Sequence, residues 1–290
     1  MLLLGWLLRC SCANVVPVPE PDSSWSPLEP ALDPGTLAAA AGPAWSVTLL
    51  PSAGSTNAVA AEQPVPGTIV VADHQTAGRG RLDRLWETPP GTALTFSAVV
   101  EPGLPDQHWP LLPLATALAV ADGVRRAADV VPRLKWPNDL LLDDDTGPEP
   151  PGERKFAGIL LERIPNPADA DRPLAVIGVG INVGMTREQL PVPTATSLAI
   201  TGSHVDRTDL FGPVAHGLAS VLAELAVEPD SVLDRYRGAC TTIGRRVEVH
   251  LPDGEVFTGR AETVDERGRL VVDGRAIGAG DVVHVRPGVT

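Results

Sequence analysis

The order and spacing of the short apolar runs constrain this chain most. Ser46–Leu50, Thr68–Asp73, Thr92–Val100, Pro132–Trp136, Leu140–Asp143, Lys155–Arg163 and Leu174–Val183 read as strands from their apolar and β-branched content. Only one long helical pattern, Leu111–Ala128, falls among them, and several runs lie close enough to form hairpins. The chain therefore reads as α+β, a mixed β-sheet with flanking helices, and not as a doubly wound α/β domain. Ser55-Thr-Asn-Ala starts a short helix with Ser55 as N-cap. Asp206–Leu225 and Pro229–Cys240 are further helices, with Asp206 and Asp230 where the helix dipole favours negative charge.

After Cys240 the texture changes. Arg246–Leu251, Glu255–Arg260, Ala261–Asp265, Leu270–Val272 and Val282–Val285 are short strands split by turn signals such as Pro252-Asp-Gly and Asp273-Gly. Such a meander predicts a small β-barrel. Residues 1–45 hold seven prolines and few β-branched residues, so they read as a disordered extension with no helix-turn-helix pattern. The expected division is 1–45, 46–240 and 241–290.

Composition narrows the function. A net charge of −13 and a pI near 4.8 argue against general nucleic-acid binding. Three cysteines cannot build a disulfide framework and fit a reducing compartment. No run of 18 or more apolar residues is present, so no membrane-spanning helix is expected. The stretch Met1–Cys12 resembles a short signal h-region, but it lacks a basic n-region, and a mis-assigned start or a tail accounts for it better. Of 23 basic residues only two, Lys135 and Lys155, are lysine. In a chain where arginine does the generic surface work, a retained lysine marks a position that needs an amine.

Four constellations carry chemistry, and each has a plainer reading. His74-Gln-Thr-Ala-Gly-Arg-Gly-Arg81 and the following residues to Trp86 combine backbone N–H groups freed by glycine with fixed positive charge, which suits a phosphate or carboxylate. It equally reads as a charged surface loop, and it is neither a Walker A loop nor a Rossmann fingerprint. Lys135-Trp-Pro-Asn-Asp139 offers an amine, an amide able to read a base edge and a carboxylate for Mg²⁺ or a ribose, or simply a Pro-Asn-Asp turn. Lys155-Phe-Ala-Gly-Ile-Leu160 puts a point charge at the head of an apolar strand, as a solvated terminus or as a partner for a developing anion. Gly178-Val-Gly-Ile-Asn182 is a strand thinned either for packing or for close approach by a ligand.

Taken in order, Ser55-Thr-Asn57, Gln75, Gly-Arg-Gly-Arg81, Lys-Trp-Pro-Asn-Asp139, Lys155-Phe-Ala-Gly-Ile-Leu160 and Gly-Val-Gly-Ile-Asn182, closed by a small β-domain, resemble the biotin protein ligase family over residues 46–290. The resemblance is to its short form, without an N-terminal DNA-binding domain. It implies a class II synthetase-like mixed sheet and a C-terminal SH3-like barrel. It also implies an enzyme that forms biotinyl-5′-AMP from biotin and MgATP and passes biotin to one lysine of a carboxyl carrier domain of an acyl-CoA carboxylase. By that resemblance Ser55, Thr56, Asn57, Gln75, Gly78, Arg79, Arg81, Lys155 and Gly158 bind biotin. Arg79, Trp86, Lys135, Asn138, Asp139 and Asn182 bind the nucleotide, Trp86 packing on the adenine. Lys155, Arg81 and Asp139 are catalytic, and Asp139 is also the expected metal contact, for Mg²⁺. The loop departs from the family at Leu82-Asp83, and the acidic connector Asp144–Arg154 is long for a strand link. The nearest alternative is a lipoate or octanoyl ligase of the same superfamily; a non-catalytic binding module built on the terminal barrel is a second. The expected setting is cytoplasmic, as a monomer or homodimer, with no nucleic acid or membrane partner.

Overall fold

A computed structural model describes residues 31–81, 84–146 and 152–285. The N-terminal part runs α1 (Pro34–Ala41), β1 (Ser46–Leu50), α2 (Thr56–Glu62), β2 (Thr68–Ala72), β3 (Gln75–Arg79), β4 (Leu85–Thr88), β5 (Ala93–Val100), α3 (Leu112–Ala128), β6 (Arg133–Lys135), β7 (Asp139–Asp144), β8 (Gly152–Ile164), β9 (Leu174–Asn182), α4 (Arg207–Val227) and α5 (Pro229–Ala239). Among the described residues a seven-stranded sheet has the order β1-β2-β5-β9-β8-β7-β6. Only β1 and β2 pair in parallel; the remaining neighbours are antiparallel. The expected mixed sheet with flanking helices is therefore what forms.

Strand alternation decides which face becomes core and which becomes site. On β9, Ile177, Val179 and Ile181 join the main core with Leu94 and Phe96 of β5 and residues of α1, α3 and α4. The intervening Gly178, Gly180 and Asn182 line the opposite face, where a cleft opens. α2 covers one end of that second face through Ala60, packed with Val70, Val99 and Val176.

The C-terminal unit contains β10 (Arg246–His250), β11 (Val256–Val264), β12 (Leu270–Val272), β13 (Arg275–Ile277) and β14 (Asp281–His284), ordered β13-β12-β11-β10-β14. This antiparallel sheet agrees with the expected SH3-like domain. The two runs read as Glu255–Arg260 and Ala261–Asp265 are one strand, β11, whose pairing with β12 shifts register between Ala261 and Thr263. The unit is tied down by Trp136, which is 2% exposed and donates its indole N–H to Gly268 O at 2.9 Å. The Trp136 backbone N–H donates to Thr242 Oγ1 at 3.1 Å.

Several expectations need correction. Residues 34–45 are not a disordered extension. Asp33 caps α1 by accepting from the Thr36 N–H, Leu37 is fully buried, and the Trp45 indole donates to Ala215 O at 3.0 Å. An Asp-Pro start followed by alanines supplies helix propensity that the proline count hid. Residues 1–30, including Cys10 and Cys12, lie outside the described residues. The run from His74 to Trp86, one reading of which was a charged surface loop, instead enters the β3–β4 hairpin, whose largely exposed strands lack the apolar alternation that marks strands in sequence. Helix α4 is, among the described residues, the one helix long and apolar enough to cross a membrane, with a mean hydropathy of 1.5. Its Leu210, Phe211, Val214, Leu218 and Val221 are instead buried in the main core, against which α3 also packs.

Candidate functional site

The cleft has a volume of about 2000 Å³ and is bounded by the glycine-bearing face of β8 and β9, by α2, by the β3–β4 hairpin and by β14. That exceeds the space one small molecule usually fills. The structure brings every residue expected at the site to this cleft except Gly78, which lies just behind it on β3.

One end is buried and uncharged. Ser55, Thr56, Asn57 and Gln75 are all less than a tenth exposed. Ser55 ends its loop as the N-cap of α2, its oxygen facing the Ala58 N–H. The Gln75 amide is fixed by partners that each play only one role. The Thr56 N–H donates to Oε1 at 2.9 Å, and Nε2 donates to Trp86 O at 3.3 Å. The end therefore offers spare lone pairs on Gln75 and Thr56, and a hydroxyl proton on Ser55. A group that accepts at its centre and donates N–H on its flank complements this pattern.

The other end is charged. Lys155, at the head of the inner half of β8, places Nζ 2.5 Å from Asp139 Oδ1. Lys135 places Nζ 3.7 Å from Asp139 Oδ2. The two lysines thus converge on one carboxylate across the β6–β7 and β7–β8 pairings. Burial pushes the Asp139 carboxyl up, but Lys155 and Lys135 outweigh it and hold it below its ordinary value. Burial lowers the Lys135 amine, Lys155 and Arg84 reinforce that, and Asp139 opposes it. Arg81 donates to Asn138 Oδ1 at 3.4 Å and to Gly280 O at 3.3 Å, and burial lowers its guanidinium. Arg84 pairs with Asp281, which joins the hairpin loop to the C-terminal unit. Leu82 and Asp83 lie outside the described residues.

Between the ends lies Trp86. A Cβ on Gly180 would come within 2.5 Å of its indole, so only glycine lets the ring lie on the sheet. Lys155 Nζ sits 5.3 Å from the ring centroid, a cation–π distance. The Trp86 indole N–H is buried without a hydrogen-bond partner among the described residues. In this structure the ring rests on the sheet floor beside Gly158.

Two amides expected to read a base are partly engaged. Asn138 donates to Ile159 O at 2.9 Å and accepts from Arg81, while Asn182 donates to Thr196 O at 3.0 Å. Arg79 is exposed at the rim. A metal role for Asp139 does not fit, because its two oxygens face ammonium groups. Among the described residues no group of three His, Cys, Asp or Glu is placed to hold a metal ion.

Sequence reasoning missed the wall given by the C-terminal unit. Arg245 makes a two-pronged ion pair with Glu153 at 2.6 and 2.7 Å, and His284 bridges Arg245 and Thr242. Burial, with Lys135 and Arg245 nearby, pushes the His284 imidazole down to about 4 against the pull of Glu153. Nothing in the barrel's strand pattern singled these residues out. The acidic connector is anchored at both of its ends. Asp144 is buried against Arg154 at 3.4 Å and Arg187 at 2.9 Å. Burial raises its carboxyl, but contacts with Thr196, Thr146 and Arg187 outweigh that and hold it at about 2. Residues 147–151 of the connector lie outside the described residues.

Residues 50–182 match the model of the Biotin/lipoate A/B protein ligase family, and residues 242–285 match the Biotin protein ligase C terminal domain. The chain is 36% identical over 278 residues to the biotin–[acetyl-CoA-carboxylase] ligase of Mycobacterium tuberculosis, covering 89% of this chain and 98% of that one. It is 40% identical over 215 residues to the bifunctional ligase/repressor BirA of Bacillus spizizenii, covering 71% of this chain and 62% of that protein. The solved biotin protein ligase from Aquifex aeolicus in complex with biotin and ATP superposes with a TM-score of 0.67 at 26% identity, over 83% of this chain and 98% of that chain.

Proposed function

This chain belongs to the biotin/lipoate A/B protein ligase family and is a biotin protein ligase, and we propose that it joins biotin to ATP as biotinyl-5′-AMP and then transfers biotin to a lysine of a carboxyl carrier domain. The observation that carries the proposal is the pairing of a neutral hydrogen-bonding end with a cationic end in one cleft. A cyclic urea has a carbonyl that accepts from Ser55 and N–H groups that donate to Thr56 and Gln75. The dithiolane ring of lipoate has neither, and would leave those buried groups unpaired.

In the first half-reaction a biotin carboxylate oxygen attacks the α-phosphorus of MgATP and pyrophosphate leaves. Two anions must approach, so positive charge is needed where they meet. Lys155 and Arg81 supply it, while Asp139 fixes the Lys155 amine in place. Lys135, Asn138, Asn182, Arg79 and Trp86 serve the nucleotide, Trp86 swinging from the sheet floor to pack on the adenine. Closure of the hairpin loop onto Gly280 and Asp281 keeps water from the mixed anhydride. In the second half-reaction the neutral amine of the acceptor lysine attacks the biotinyl carbonyl, AMP leaves, and the amine's proton passes to solvent or to Asp139.

The acceptor we assign is the carrier domain of an acyl-CoA carboxylase, supported by the name of the Mycobacterium tuberculosis relative. The free, buried Cys240 fits a reducing cytoplasmic setting. The catalytic domain is assigned to residues 46–240, extended by α1, and the barrel to 241–290. Transfer of labelled biotin and labelled lipoate to purified carrier domains tests the substrate. Biotin alone should be incorporated; lipoate alone would make the chain a lipoate ligase.

A further inference from the structure

Behind the neutral end of the cleft runs a chain of side chains that ends on Glu162. Asn57 Nδ2 donates to Glu162 Oε2 at 2.6 Å and lies 3.4 Å from Leu160 O. Both partners are acceptors, so the amide has only one workable orientation, with Oδ1 turned away from β8. That oxygen lies 2.6 Å from Ser97 Oγ. A hydroxyl carries one proton, and Ser97 must give it to Asn57, because an amide oxygen cannot donate. Ser97 Oγ is also 2.7 Å from Thr56 Oγ1, so it can only accept there. The Thr56 proton is then directed inward to Ser97, although Gln75 Oε1 lies at 3.2 Å and already receives the Thr56 N–H. Thr56 is left facing the cleft with a lone pair. Ser97 is fully buried and Asn57 is 4% exposed, so water does not scramble this order. A Cβ on Gly178 would come within 2.3 Å of Asn57 Oδ1, so the glycine makes room for the amide.

We propose that Glu162, a residue outside the cleft, is a positioning residue that sets the hydrogen-bond polarity of the substrate pocket, so that Thr56 accepts and the bound group must donate an N–H. The proposal rests on the biotin reading above and deepens it, assigning discrimination between a urea and a look-alike ring to a glutamate two side chains removed from Thr56.

The test measures biotin-dependent ATP–pyrophosphate exchange with biotin and with a cyclic carbamate analogue in which one ureido N–H is replaced by oxygen. Wild type should prefer biotin by about tenfold or more, the cost of one mispaired buried hydrogen bond. Glu162→Lys places a donor opposite Asn57. It should raise the biotin KM about tenfold and narrow the preference, with kcat at saturating biotin within about twofold. Glu162→Gln can still present an oxygen to Asn57 and should restore KM and preference. Ser97→Ala cuts the relay with Glu162 intact and should reproduce the loss; it decides the question if Glu162→Lys does not fold. Wild-type KM and wild-type preference in folded Glu162→Lys, or in Ser97→Ala, would overturn the proposal. Absence of biotin-dependent exchange in wild type would instead overturn the biotin reading and this proposal with it.

Discussion

The two ends of the cleft solve different problems with different residue types. Around Thr56 and Gln75 the side chains are buried and uncharged, and the Gln75 amide is oriented by partners that each play one role. Around Asp139 the groups are charged, partly open and share one carboxylate between two lysines. A neutral network discriminates by leaving a wrong ligand's atoms unpaired, whereas a charged cluster acts on charge that develops during reaction. The neutral end should therefore govern which molecule binds, and the charged end how fast it reacts.

Removing Lys155 should separate the ends most sharply. Lys155→Ala is expected to lower adenylate formation by about 10²- to 10³-fold, as loss of one preorganised charge does. Biotin binding by calorimetry should change far less. A large loss of biotin affinity with intact turnover would reverse the proposed division. On the neutral end, Thr56→Val keeps the shape and removes the acceptor. Its biotin KM should rise by about tenfold to a hundredfold with little change in kcat; a fall in kcat at unchanged KM would mean that the recognition end takes part in the chemistry.

The smallest effect concerns the wall between the cleft and the C-terminal unit. His284 is held neutral, down to about 4, where an unfolded histidine titrates near 6.5. The unfolded chain then binds more protons between those values, so stability falls as pH drops from about 6.5 to about 4. Asp144, at about 2, gives a separate loss below its ordinary value of 3.8. Thermal melts of His284→Gln should flatten the upper window and leave the lower one. An unaltered profile would mean that His284 does not carry it.

Much of this division was legible in the sequence. The alternation in Val176-Ile-Gly-Val-Gly-Ile-Asn182 puts Ile177, Val179 and Ile181 in the core and Gly178, Gly180 and Asn182 on the cleft, where the two glycines make room for the side chains of Asn57 and Trp86. The scarcity of lysine pointed to Lys135 and Lys155, which meet at Asp139. What stayed hidden depends on contacts far apart in the chain. Glu162 and Ser97 look like ordinary strand residues until β5, β8 and α2 are brought together. Trp136, grouped with the chemistry by its motif, is a buried tie to Gly268, more than a hundred residues away. Helix α1 was hidden among prolines, and the packing on α4 that holds it joins residues far apart in the chain.

The most direct measurement is ATP–pyrophosphate exchange by the purified chain with and without biotin. The account predicts exchange that requires biotin and is not supported by lipoate. Exchange independent of biotin, or none in its presence, would contradict it.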